Sequence, residues 1–257
     1  MTRSLLRNSI HREIIRVYAL VCAGVFLATR ARSVPWLAEY VPVVVAAIFL
    51  WTATHLAQRD VGGLDRYGIG LGGLIGPGHD EGSPGPLGML ELTRTLWAAV
   101  PMALREIGTA FIVIALVFPI FAVLFYLFHR PEHPFHWSPP EHLLSLTFSQ
   151  LVIVALPEEA FFRGYLQTRL VDAGAHAAEV SKKAKQRLRS AVPILVQAAY
   201  FGFIHVLVDL DPLRFSVFFP GLLFGVMRAE RKGIGAAIVV HAASNLYSEI
   251  LVRGWLV

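Results

Sequence analysis

The chain alternates between long apolar runs and short polar connections. Seven runs are long enough to be read as membrane spans: Ile14 to Thr29, Trp36 to Ala57, Ile107 to Phe128, one from about Leu143 through Leu166, Val192 to Val208, Phe215 to Met227 and Ile234 to Leu251. A helix needs about 20 apolar residues to cross a hydrocarbon core, so the first is somewhat short. Residues 58 to 88 are Gly-rich with Pro77, Pro84 and Pro86, the pattern of a loop that need not pack. Residues 89 to 106 carry Leu, Trp and Met, with Glu91, Arg94, Arg105 and Glu106 towards the ends. This predicts an interfacial amphipathic helix, or a polar lead-in to the third span. The fold class expected is all-α: a polytopic helical membrane protein of about seven transmembrane helices.

Composition agrees, with 55% hydrophobic and 16% charged residues and a mean hydropathy of +0.57, against about 25% charged in soluble domains. The net charge of +5 does not point to nucleic acid, because the basic residues lie between the apolar runs. The single cysteine, Cys22, excludes an intrachain disulfide. Four arginines (Arg3, Arg7, Arg12, Arg16) precede the first run and Arg30 and Arg32 follow it, which reads as an anchor rather than a cleaved signal peptide. Lysine and arginine gather in 58–106, 169–190 and 228–232, which places these segments and the N-terminus in the cytoplasm and the C-terminus outside.

The fourth run contains the most informative stretch, Ala155-Leu-Pro-Glu-Glu-Ala-Phe-Phe-Arg-Gly164. An ionisable group at membrane depth costs about 2.5–3.5 kcal/mol on insertion scales and marks a functional site by default. Glu159 and Arg163 are four apart and share a helix face, so they can pair. Glu158 is turned away from them by about 100°. One pair that neutralises itself beside a second carboxylate facing elsewhere is the arrangement a general base with supporting residues requires. The alternative is a helix that ends at Pro157 and exposes its charges.

Two later runs carry polar groups at helical spacing: Phe201-Gly-Phe-Ile-His205 and His241-Ala-Ala-Ser-Asn245, the latter with small residues that let helices approach. By rise per residue, His205 lies about 20 Å into its span and His241 about 10 Å into its own. For Glu158 to meet both, its helix must continue past Arg163 through Gln167 to about Leu170. Such a set supports water activation: a carboxylate and an imidazole hold and deprotonate water, while a second imidazole and an amide donate to an oxyanion. One glutamate and two histidines (Glu158, His205, His241) could instead bind zinc with an open position. The chain lacks His-Glu-x-x-His, Gly-x-Ser-x-Gly and a cysteine near a histidine.

The three motifs, Glu158-Glu159-x-x-x-Arg163, Phe201-x-x-x-His205 and His241-x-x-x-Asn245, occur in order on predicted spans. They resemble those of the CAAX protease and bacteriocin-processing (Abi or Rce1-like) intramembrane proteases, over about residues 140 to 250. The resemblance implies a conical catalytic cavity between helices, with Glu158 as general base and His205 helping to hold the water. His241 and Asn245 would form the oxyanion hole, and Glu159, Arg163 and Phe201 would be supporting residues. It also implies a division into an N-terminal membrane region (1–139) and a catalytic core (140–257). A metal-free reaction is favoured over zinc, because asparagine is a poor zinc ligand and a good oxyanion donor. The substrate implied is a membrane-anchored protein or peptide cut near its C-terminus or anchor, as CAAX processing or, in myxosortase-like members, sorting-signal removal. The Arg-rich start, the Gly-rich loop and the compact core suggest a bacterial inner-membrane protein.

The competing class is non-enzymatic: a proton-coupled transporter or a bacteriocin immunity factor. Transporters of this kind commonly show an internal repeat, and no second copy of the Glu-Glu motif is present. Other features carry less. His129, His133, His136 and His142 fall in a Pro-broken connection, read as solvated rather than metal-binding. The basic run 182–189 suits anionic headgroups. Trp36, Trp51, Trp97 and Trp137 lie at span ends, as interfacial anchors do.

Overall fold

The computed structural model describes residues 3–71, 88–175 and 184–257, and among them there is no β-strand. Among the described residues, seven helical segments of 14 residues or more follow one another, with shorter helical turns between some of them. They are α1 (Arg3–Arg30), α2 (Val41–Gln58), α3 (Gly88–His129), α4 (residues 143–175), α5 (Ala184–Asp209), α6 (Phe218–Arg231) and α7 (Gly235–Trp255). Among the described residues, six helices are long and apolar enough to cross a membrane: Ser9–Ser33, Val41–Gln58, Leu96–His129, Leu143–Gly174, Ala191–Asp209 and Gly235–Trp255. The chain is a polytopic all-α membrane protein.

The predicted sixth span, Phe215 to Met227, is built differently and is not among these six. Pro212–Val217 form a 3-10 turn whose start is capped by the Asp211 carboxylate, which accepts from the Leu213 N–H at 2.9 Å. The 14-residue α6 follows. At 1.5 Å per α-helical residue, α6 alone reaches about 21 Å, and the six turn residues at 2.0 Å each add about 12 Å.

The chain forms two compact units, one from residues 1–70 and 157–234 and the other from residues 71–156 and 235–257. In the first, α1 buries Ile14, Tyr18, Val21 and Val25, and α2 buries Ala46, Phe49, Ala53 and Ala57. Leu20, Leu27, Val43, Val44 and Trp51 on the same helices are exposed. Both faces are apolar; on α2 three alanines and Phe49 take the packed one, as close approach in lipid favours. Phe49 of α2 lies 5.5 Å and 5.6 Å from the rings of Phe161 and Phe162.

One end of this unit is tied by ions. Arg169 donates to Glu13 at 3.1 Å and to Asp60 at 3.3 Å, and Arg66 donates to Asp60 at 3.0 Å and to Asp172 at 2.8 Å. Tyr165 donates to Glu13 at 2.8 Å, and the Tyr67 hydroxyl to Asp60. Burial, with the Asp60 carboxylate beside it, pushes the Tyr67 phenol above its ordinary value. The start of α1, the segment after α2 and the end of α4 are thus on one side, as an up-and-down path requires.

Residues 59–71 accordingly depart from the loop expected there. Leu64, Tyr67 and Ile69 are buried, and the Gly68 carbonyl accepts from the Ile234 N–H at 3.2 Å. Gly68 has φ +66°, and a Cβ there would lie 2.5 Å from the Lys232 carbonyl oxygen. Residues 72–87 of the predicted loop lie outside the described residues.

In the second unit, α3 is one helix through Pro101 and Pro119, so residues 89 to 106 are the lead-in to the third span rather than a separate interfacial helix. It packs on α7 through aromatic pairs: Phe118 stacks on Tyr247 at 4.4 Å, and Tyr126 lies 5.5 Å from Trp255. Glu106 accepts from the Ala236 N–H at 3.0 Å, placing a carboxylate where the first turn of α7 has donors to satisfy. In the connection before α4, His136 N–H donates to the Gly254 carbonyl at 3.0 Å, so part of this segment is docked.

Gly68→Ala should lower the melting temperature in detergent by several degrees, since left-handed backbone costs a non-glycine about 1–3 kcal/mol and the Cβ would strike backbone. Gly174→Ala, with nothing within 4 Å of the added atom, should leave it unchanged. Equal melting temperatures for the two variants would contradict this packing.

Candidate active site

The helix carrying Glu158 does not end at Pro157. It continues to residue 175, and Pro157 is itself buried. Nor is it a uniform α-helix: Gln150–Ala155 and Ala160–Leu166 are π-helical, and Leu156–Glu159 is a single α turn between them. A proline lacks the N–H for an i−4 bond, and its ring crowds that carbonyl, here that of Ile153. The wider i+5 bonding before it relieves the conflict, and π segments of this kind frequently accompany functional sites. After it, Gly164 provides the close approach: a Cβ there would lie 2.6 Å from the Ile69 side chain.

On the intervening turn the two glutamates have different surroundings. Glu159 is 0% exposed and pairs with Arg163, also 0% exposed, at 2.9 Å. Glu158 is part-exposed. The expected i,i+4 pair therefore forms, and it lies inside protein. Arg163 is held by more than its carboxylate. Its guanidinium sits 4.2 Å from the Phe201 ring centroid, 5.0 Å from that of Phe224 and 5.8 Å from that of Phe162. It also donates to the Gly221 carbonyl at 3.4 Å. Cation–π contact contributes about 0.5–2 kcal/mol, most where water is excluded.

Glycine at 221 and 225 makes this cage possible. A Cβ on Gly221 would lie 3.2 Å from Phe201, and one on Gly225 would lie 2.4 Å from the Gln197 amide nitrogen. With no side chain in the way, Gln197 donates to the Gly221 carbonyl at 3.0 Å and Gln167 to the Gly225 carbonyl at 2.9 Å. Gln167 and Gln197 were not singled out in the sequence. The signal was available, because Glu159, Arg163 and Gln167 recur at intervals of four, as do Gln197, Phe201 and His205.

His205 stacks edge-on against Phe201 at 4.6 Å, and its Nδ1 lies 2.8 Å from the Phe201 carbonyl oxygen. A carbonyl only accepts, so Nδ1 carries the proton. In the neutral ring Nε2 is then an acceptor, able to receive a hydrogen bond from water.

In the second unit, His241 is buried and Asn245 is part-exposed. Asn245 Nδ2 donates to Gln150 Oε1 at 2.8 Å. The amide nitrogen has two hydrogens, so Gln150 fixes its plane with one and leaves the other to donate elsewhere. Gln150 is a third residue the sequence reading passed over. No group of three His, Cys, Asp or Glu side chains able to hold a metal ion occurs among the described residues, and no step is derived through zinc.

Glu159→Gln should lower stability by about 3–5 kcal/mol, the cost of stranding one charge of a buried pair. Glu159→Gln with Arg163→Met should recover much of that loss in thermal unfolding. A single variant as stable as wild type would contradict the buried pair.

Residues 140–247 match the family model described as type II CAAX prenyl endopeptidase, Rce1-like. No curated protein and no solved structure matches the chain. The matched segment contains all three motifs, with the partnered Glu159–Arg163, Phe201–His205 and Gln150–Asn245 sets, and over that segment the chain is similar to the Rce1-like family.

Proposed function

We propose that the chain is an intramembrane endopeptidase that uses Glu158 to activate water, with residues 140–257 as its catalytic core and 1–139 as an N-terminal membrane region. The observation that carries this reading is the pair of adjacent carboxylates with divided surroundings: Glu159 sealed against Arg163, and Glu158 part-exposed beside it, both inside the Rce1-like segment.

In the reaction, a water donates one hydrogen bond to Glu158 and one to Nε2 of His205. Glu158 takes a proton as the water oxygen adds to the scissile carbonyl. The oxyanion accepts hydrogen bonds from His241 and from the Asn245 N–H not used by Gln150. Glu158 then passes its proton to the departing amine, and the C–N bond breaks. Phe201 has two parts here: its carbonyl sets the His205 tautomer and its ring covers Arg163. The proposed substrate is a membrane-anchored protein or peptide cut near its C-terminus or anchor, either CAAX-type or a sorting signal. The arginines at 3, 7, 12 and 16 support a cytoplasmic N-terminus, in a bacterial inner membrane.

The test is cleavage of membrane-anchored C-terminal tails by purified protein in nanodiscs, read by mass spectrometry. Glu158→Gln should abolish it. Asn245→Ala should lower kcat by about 10²–10³-fold, the usual effect of removing one oxyanion donor, with the melting temperature retained. Cleavage unchanged in Glu158→Gln would overturn the assignment.

A further inference from the structure

An open groove of about 560 Å³ lies between the first turns of α4 and the C-terminal half of α7. Ser145, Ser149 and Gln150 line it from α4, and Asn245, Glu249 and Arg253 from α7, with Glu141 beside the start of α4. Ser145 and Ser149 on α4, and Asn245, Glu249 and Arg253 on α7, recur at intervals of four and so form one face of each helix, with Gln150 next to Ser149. Both helices are apolar enough to cross a membrane. Ionisable groups on spanning helices are rare and mark functional sites.

The lining chemistry suits one kind of occupant. Serine hydroxyls and glutamine and asparagine amides both donate and accept. A peptide in extended form needs partners for each N–H and C=O, which the bilayer does not supply. The volume lies within the roughly 300–1,000 Å³ of ligand sites. Charge narrows the choice further. Glu249 and Arg253 neutralise each other at 2.7 Å, whereas Glu141 is exposed and makes no ion pair among the described residues. Glu141, Glu249 and Arg253 give the groove a formal charge of −1, histidine not counted.

We propose that this groove holds the extended, polar flank of the substrate next to the scissile bond, and that Glu141 selects a basic residue in that flank. The proposal rests on the reading of Asn245 as the oxyanion donor: a chain lying along this wall brings a carbonyl to that amide.

Two arms test it on the full-length protein in nanodiscs. In the first, Ser145→Cys in a Cys22→Ser background is labelled with a water-soluble maleimide, with or without a tail peptide carrying lysines or its glutamate counterpart. The lysine peptide should slow labelling, the glutamate peptide should not, and adding Glu141→Lys should invert the preference. In the second, Ser149→Leu should raise KM for cleaved lysine-bearing tails by about tenfold with kcat unchanged. Protection by the lysine peptide without any cleavage would support the groove and count against the peptidase reading. Cleavage with unchanged KM and no protection would overturn the groove and leave that reading standing. Equal protection by both peptides, unaltered by Glu141→Lys, would overturn the selection by charge.

Discussion

A fully buried ion pair sets the terms for the rest of the first unit. Arg163 and Glu159 are both out of contact with solvent, and a desolvated guanidinium is tolerable only where its surroundings supply compensating charge and hydrogen bonds. That requirement reaches across three helices. Phe201 of α5 and Phe224 of α6 must present ring faces, and Gly221 must leave its carbonyl reachable. Gln197 then docks α6 by the same Gly221 oxygen, and Gln167 by that of Gly225. Because Phe201 both covers Arg163 and accepts from His205, the pair also fixes an imidazole it does not touch. The neighbouring Glu158 sits on a turn whose other carboxylate is already committed.

Much of this was legible because helical recurrence survives inside an apolar run. The interval of four joining Glu159 to Arg163, Phe201 to His205 and His241 to Asn245 is visible in the sequence, and the first two pairs do interact. Continuation of the helix beyond Pro157 followed from the depths required of the two histidines. The same recurrence extends to Gln167 and Gln197, which the three motifs do not include. Helix faces were harder to read. In α1 and α2 both lipid-facing and packed positions are apolar, so polarity does not separate Val21 from Leu20.

Other features were not legible, for reasons specific to each. The π turns on either side of Leu156–Glu159 depend on how the chain accommodates Pro157, a local choice with no sequence period. The packed segment 59–71 is Gly-rich, and glycine reads as loose chain. Here it is present because Gly68 and Gly164 bring backbone and helix together more closely than a Cβ permits. The short α6 carries cage residues rather than enough apolar length, and its glycines mark contact surface for the same reason.

The central claim is that a carboxylate, and not a metal ion, activates the water. The most direct measurement is turnover by wild-type protein after exhaustive chelation, with bound zinc determined on the same sample. The account predicts undiminished cleavage with zinc far below one ion per chain. Turnover that falls in proportion to zinc, and returns when zinc is restored, would contradict it.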